Sequence, residues 1–248
     1  MVTAATHRIE LVYKVPETDP RWVLEDDENM PETPLHGAII DLLKVILHFW
    51  VLRHVRDALV LGNVALRWDR AHPKVGVDPD VLLVSPAPPG GERRLKSLCT
   101  WKPGHTAPRV AVEVVSENTA AKDYGEGPDK YAASGTKELW VFDPERFGPA
   151  MHGGPHVLQV WRRDEEGRFA RVYAGDGPAR TEELGGWLVV TDGGMRLRLA
   201  DDAQGERLWP TAEEAALARE EAALARERAA LEELERLRTE LARLKPQS

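Results

Sequence analysis

Cysteine is almost missing from this 248-residue chain, which carries only Cys99. One thiol excludes an internal disulfide framework and any cysteine-rich zinc site, and it fits a reducing compartment such as the cytoplasm. Excess positive charge is missing too. Lys and Arg number 33 against 41 Asp and Glu, a formal net charge of -8. That balance excludes a protein that coats nucleic acid through bulk electrostatics and leaves room only for a local basic groove. The first twenty residues, MVTAATHRIELVYKVPETDP, lack the apolar core of a signal peptide. The most apolar stretch, AIIDLLKVILHFWVL, is too short to span a bilayer and carries Asp41, Lys44 and His48, so it reads as a core helix. A cytoplasmic protein with no membrane partner follows. What is present is a hydrophobic fraction of 42%, enough to bury a core.

The helix containing that stretch has a clear start. Thr33 stands at the N-cap, Pro34 at the first helical position, and Ile39, Leu42, Leu43, Ile46, Leu47 and Trp50 recur at helical spacing. Short runs of branched apolar residues bounded by Gly, Pro and Asp then predict strands: LVLGNVALRW, VLLV, RVAVEVVS, KELWVFD, VLQVWRR, FARVYAG, WLVV and MRLRLA. Between RVAVEVVS and KELWVFD lies a helical segment capped by Asn118 or Thr119 and stopped by Gly135, so a crossover between neighbouring strands is predicted. The fold class is α/β or α+β, one central mixed sheet flanked by helices over residues 1–208. APPGGERRLKSLCTWKPGHTAP reads as a long loop inserted between two strands. The eight tryptophans, Trp68, Trp101 and Trp140 among them, would stack on bases if exposed, but most read as core.

Residues 209–248 change abruptly to Ala, Leu, Glu and Arg. Leu217, Leu224 and Leu231 are spaced by seven, and Leu234 and Leu241 continue the seam at the complementary position, which Glu220 and Glu227 occupy earlier. This pattern predicts a coiled coil that joins two subunits in a homodimer of open orientation; a single solvated helix is the competing reading.

Two anomalies carry chemistry. Glu113 sits within a run of valines, on the strand face it shares with Ala111 and Val115, where an unpaired carboxylate is costly unless a cation or donors meet it. Asp78 and Asp80 flank Pro79 directly before VLLV; alone, Asp-Pro-Asp is a turn signal. Beside Glu113, Asp80 would complete a pair of carboxylates from adjacent strands suited to a hard divalent cation.

The ordered set Pro79-Asp80, Glu113 in VEVVSENT, Asp123 and KYAASGTKELWVFDP resembles the Uma-type family of restriction-endonuclease-like proteins, a branch of the PD-(D/E)xK nucleases, over about His36 to Pro144. The resemblance implies a restriction-endonuclease-like sheet and a metal-dependent endonuclease acting on DNA. It implies Mg²⁺ or Mn²⁺ held by Asp80, Glu113 and the main-chain carbonyl of Val114. His36 matches a histidine that would touch the metal-bound water or a phosphate, and is otherwise an exposed first-turn residue. The superfamily lysine two residues after the glutamate is Val115 here, and the alternative slot of the Uma-type family is Gly127. Lys130 is the nearest candidate, with Lys122 and Lys102 next. Asp123 would cap its helix or support the lysine. The departure at the lysine keeps open a second function, a catalytically weakened relative that binds nucleic acid or protein as an oligomer.

Overall fold

A computed structural model describes residues 33–55, 57–91 and 95–244. The first 32 residues of the expected 1–208 domain and the last four of the tail lie outside the described residues. Helix α1 (Pro34–His54) begins as the sequence predicts, with Thr33 Oγ1 accepting the His36 N–H at 3.2 Å and Pro34 filling the first helical position. By length and composition α1 could cross a membrane. Here Ile39, Leu43, Ile46, Leu47 and Trp50 are buried against sheet residues.

After α1 come β1 (Leu59–Gly62), β2 (Ala65–Arg67), β3 (Gly76–Val77), β4 (Val81–Val84), β5 (Ser97–Cys99) and β6 (Val110–Val114). The crossover consists of α2 (Ala120–Tyr124) and α3 (Gly127–Ser134), and β7 (Glu138–Phe142), β8 (Leu158–Arg163) and β9 (Phe169–Gly175) follow. The chain closes with β10 (Ala179–Thr181), β11 (Gly186–Thr191), β12 (Arg196–Ala200) and α4 (Ala212–Leu244).

The fold is mixed α+β, with a six-stranded sheet in the order β1-β4-β6-β7-β8-β9. Only β6 and β7 in it run parallel, because the α2–α3 connection returns the chain to the edge it left. One central sheet was the expectation; the described residues form three. Asn63, at φ 54°, turns the chain between β1 and β2, so that LVLGNVALRW divides between two sheets. β2 pairs antiparallel with β3 and parallel with β5. The presumed loop thus contains a strand, too short and too interrupted by Gly and Pro to show an alternating pattern. β10, β11 and β12 form the third sheet.

Alternation along β6 separates two cores. Val110, Val112 and Val114 pack with α1 and residues of the third sheet, including Leu188, Leu197 and Leu199. Ala111 and Val115 pack on the opposite face with Tyr124 and Tyr131 of the crossover. Trp140 is fully buried, its indole N–H donating to Glu138 Oε1 at 2.7 Å, while Trp68 and Trp101 are half-buried.

After β12 the chain pairs back through Ala200 and Leu208, and the Trp209 ring stacks on Trp50 with centroids 5.9 Å apart. Thr211 and Glu214 cap α4 reciprocally, each accepting the other's N–H, and Arg198 grips the Glu214 carboxylate. Leu47, on the inner face of α1, is fully buried. Leu47→Ala should lower unfolding stability by about 2–5 kcal/mol, through lost burial plus a residual cavity, measured by denaturant titration.

Candidate active site

The register of β4 against β6 builds the site. Val81 faces Val112 and Leu82 faces Ala111, so the ladder, continued by one residue, sets Asp80 against Glu113 on one face. Asp80 Oδ2 accepts the Val114 N–H at 2.7 Å, which fixes its carboxylate at the end of β6. Pro79 is buried, whereas Asp78 is exposed and paired with Arg67 at 3.0 Å, so the two aspartates of the Asp-Pro-Asp turn part company.

Glu113 is buried, and Tyr131 donates its hydroxyl to Glu113 Oε1 at 2.6 Å. Asp123 is 1% exposed, and no group donates a well-formed hydrogen bond to either of its carboxylate oxygens. Its nearest cationic neighbour is Lys122, with Nζ 3.6 Å from Oδ1. Asp123 therefore does not cap a helix. It lies inside α2 and its side chain enters the same charged cluster.

The electrostatics follow from three carboxylates crowding one ammonium. Burial raises the Asp80 pKa to about 6, the Asp123 charge adds to the rise, and the Val114 N–H and His36 oppose it. Glu113 is pushed well above the usual carboxylate range by burial and then by Asp123 and Asp80, with Lys122 and Tyr131 pulling the other way. Asp123 is raised by burial despite the influence of Thr119 and Lys122. Burial works against the Lys122 ammonium, yet Glu113, Asp123 and Asp80 more than offset it and lift its pKa above the ordinary lysine value.

His36 is not an exposed first-turn residue. It is buried, its Nε2 donates to the Val114 carbonyl at 2.8 Å and lies 3.7 Å from Asp80 Oδ2, and its Nδ1 is buried without a partner. The carbonyl that the resemblance assigns to a metal is thus already engaged by one donor, leaving its second lone pair.

Lys130 is not brought to this cluster. Its ammonium donates to Glu126 Oε1 at 2.6 Å, one turn away on the same helical segment. The reason is the break between α2 and α3: Pro128 restarts the helix, and α3 buries Gly127, Pro128, Tyr131 and Ser134, a face that excludes Lys130. Lys122 precedes the break and faces the carboxylates. Tyr131 went unnoticed as a partner of Glu113, although its place on the buried stripe of α3, as the one aromatic residue with a polar tip, was a usable signal.

Among the described residues, no group of three or more His, Cys, Asp or Glu side chains converges to hold a metal by itself. A magnesium-like ion does not require such a cage, since it keeps several waters and uses one or two carboxylates. The donors at hand are Asp80, Glu113 and the Val114 carbonyl. The excess of carboxylates over cations among the described residues, with Lys122 alone beside three acids, is what a site built for one further cation would present.

The model of the Uma2 family, described as "Putative restriction endonuclease", matches residues 9–148. No curated protein matches the chain. A solved structure from Anabaena variabilis, described as a "putative nuclease belonging to DUF820", is similar over 62% of this chain and 75% of its own, at 14% identity and a TM-score of 0.42.

Because Asp80 binds its proton more tightly when folded than the ordinary carboxylate does, its burial is best tolerated protonated, and stability is lost as pH rises through about 6. Asp80→Asn keeps an oxygen for the Val114 N–H and removes the charge. Without added metal its unfolding stability should match the wild type at and below about pH 4, exceed it increasingly as pH rises towards about 6, and level off above that at a gap of at most about 3 kcal/mol, with a correspondingly higher melting temperature.

Proposed function

From the premise that the chain belongs to the Uma2 family, we propose that it is a metal-dependent endonuclease that hydrolyses phosphodiester bonds in DNA. The observation that carries this reading is the cluster itself: three carboxylates, Asp80 and the buried Glu113 and Asp123, share the single ammonium of Lys122, which lies 3.6 Å from Asp123 Oδ1. A purely structural cluster would pair its charges, since an uncompensated buried carboxylate is destabilising.

Asp80 and Glu113 would hold Mg²⁺ or Mn²⁺, helped by the Val114 carbonyl. When bound, the cation would supply Lewis-acid polarisation of the phosphate and acidify a water. Tyr131 fixes the Glu113 carboxylate by its hydrogen bond, and the Val114 N–H fixes that of Asp80. Asp123 positions Lys122, whose ammonium stays protonated and stabilises negative charge as it develops on the phosphate oxygens. His36 orients the Val114 carbonyl from the side of α1. Lys122 takes the part that the sequence assigned to Lys130.

The test is cleavage of plasmid and single-stranded DNA with Mg²⁺ or Mn²⁺, with Asp80→Ala as the inactive control. Lys122→Met should lose about 10² or more in kcat while retaining Mn²⁺ binding by calorimetry, and Lys130→Ala should stay close to wild type. Glu113→Gln, nearly unchanged in shape, should weaken Mn²⁺ binding; an affinity equal to wild type would remove Glu113 from the metal site. Absence of cleavage with every metal would move the chain to the binding role.

A further inference from the structure

Beyond its capped first turn, α4 leaves every described side chain from Ala216 to Leu241 exposed. Six of these are leucines: Leu217 is 54% exposed, Leu231 61% and Leu241 62%, with Leu224, Leu234 and Leu237 between 45% and 48%. Nothing among the described residues covers them. We propose that α4 pairs with α4 of a second copy of this chain, and that the two helices run antiparallel.

The occupant and its direction come from how size and charge are distributed along the stripe. With the Leu217, Leu224 and Leu231 heptad moved from the seam to one flank, the seam positions, alternating by three and four, run through Glu220, Ala223, Glu227 and Ala230 in the first half, then Leu234, Leu237 and Leu241 in the second. The first half is small and acidic, the second large and apolar. A parallel pair would set Glu220 against Glu220 and Glu227 against Glu227 in the seam, two like-charge layers at the centre of the contact. An antiparallel pair with Glu227 of one copy opposite Ala230 of the other sets the alanine half of each helix against the leucine half of its mate. No layer then opposes two glutamates.

The flanks agree. On one side of the stripe stand Arg219 and Arg226 in the first half and Glu233 and Glu240 in the second. In the antiparallel register Arg219 meets Glu240 of the second copy, and Arg226 meets Glu233. In a parallel register the same two arginines would face leucines. On the other flank Leu224 meets Leu231 of the second copy. Within one chain Glu233 is held by Arg236 at 2.7 Å, a surface pair three residues apart that exchanges readily for a partner across the seam.

The test uses the full chain. Sedimentation should show a dimer, and Arg219→Glu with Arg226→Glu should weaken it at least tenfold without loss of helix content, since both residue types favour helices. Adding Glu233→Arg and Glu240→Arg to that variant should restore the dimer, because the pairs are re-formed with their signs exchanged. Direction is read by spin labels at Glu232→Cys and Thr239→Cys, separately, in a Cys99→Ala background. Both positions face away from the seam at the same heptad place. In the antiparallel register the two copies' labels are offset along the axis by about 11 Å at 232 and about 32 Å at 239, so the measured distance at 239 should be longer by about 10 Å or more. A monomeric wild type, equal distances at the two positions, or no rescue by the exchanged charges would each overturn the proposal.

Discussion

One strand register holds the rest in place. With Val81 opposite Val112, the turn before β4 delivers Asp80 to the end of β6 beside Glu113. A slip of one residue would turn Asp80 to the α1 face and place a carboxylate among Leu43, Leu47 and Val112. The apolar runs on both strands prohibit that slip, because β4 and β6 are buried on two faces with different partners above and below. Packing energy spread over two cores is therefore what sets the distance between two charges.

The crossover answers the same constraint from the other side. A continuous helix from Ala120 to Ser134 would have to satisfy both the carboxylates near its start and the apolar floor under Tyr131 with one straight axis. The break near Gly125 releases that demand. α2 orients Lys122 and Asp123 towards the strand end, and α3 buries Tyr131 in the same core as Val141 and Leu139 while its hydroxyl reaches Glu113. The Gly135 φ of 84° then ends α3 in a conformation that glycine adopts without strain, in time for β7 to enter beside β6.

Much of this is legible in the sequence where a side chain violates its surroundings. Glu113 among valines, and Thr33-Pro34 before an apolar stripe, each state a local conflict or a local preference that the fold has to respect. β5 and β10 were not legible, because three-residue strands carry too little alternation to rise above a Gly- and Pro-rich background, whereas β11 and β12 read as strands but gave no sign that they form a sheet of their own. Lys122 was ranked behind Lys130 for a geometric reason. Counting along one ideal helix puts Lys130 near the expected slot, but the direction of a side chain across a helix break is set by what α3 buries, which spacing alone does not encode. Asp123 was seen, but its burial depends on the sheet edge it meets, and a side chain one residue from a lysine looks in sequence like any surface pair.

Val114 contributes both of its backbone groups to the cluster, its N–H to Asp80 and its C=O to His36, while its side chain points the other way into the core beneath α1. The peptide units that tie the two acids and the histidine together are thus anonymous. Any β-branched residue that fills the same volume would present the same two dipoles, so position 114 can drift under selection for packing alone. Comparison of sequences would then pass over the residue at the middle of the site, and only replacing the amide itself, for instance by an ester at Val114, would expose its part.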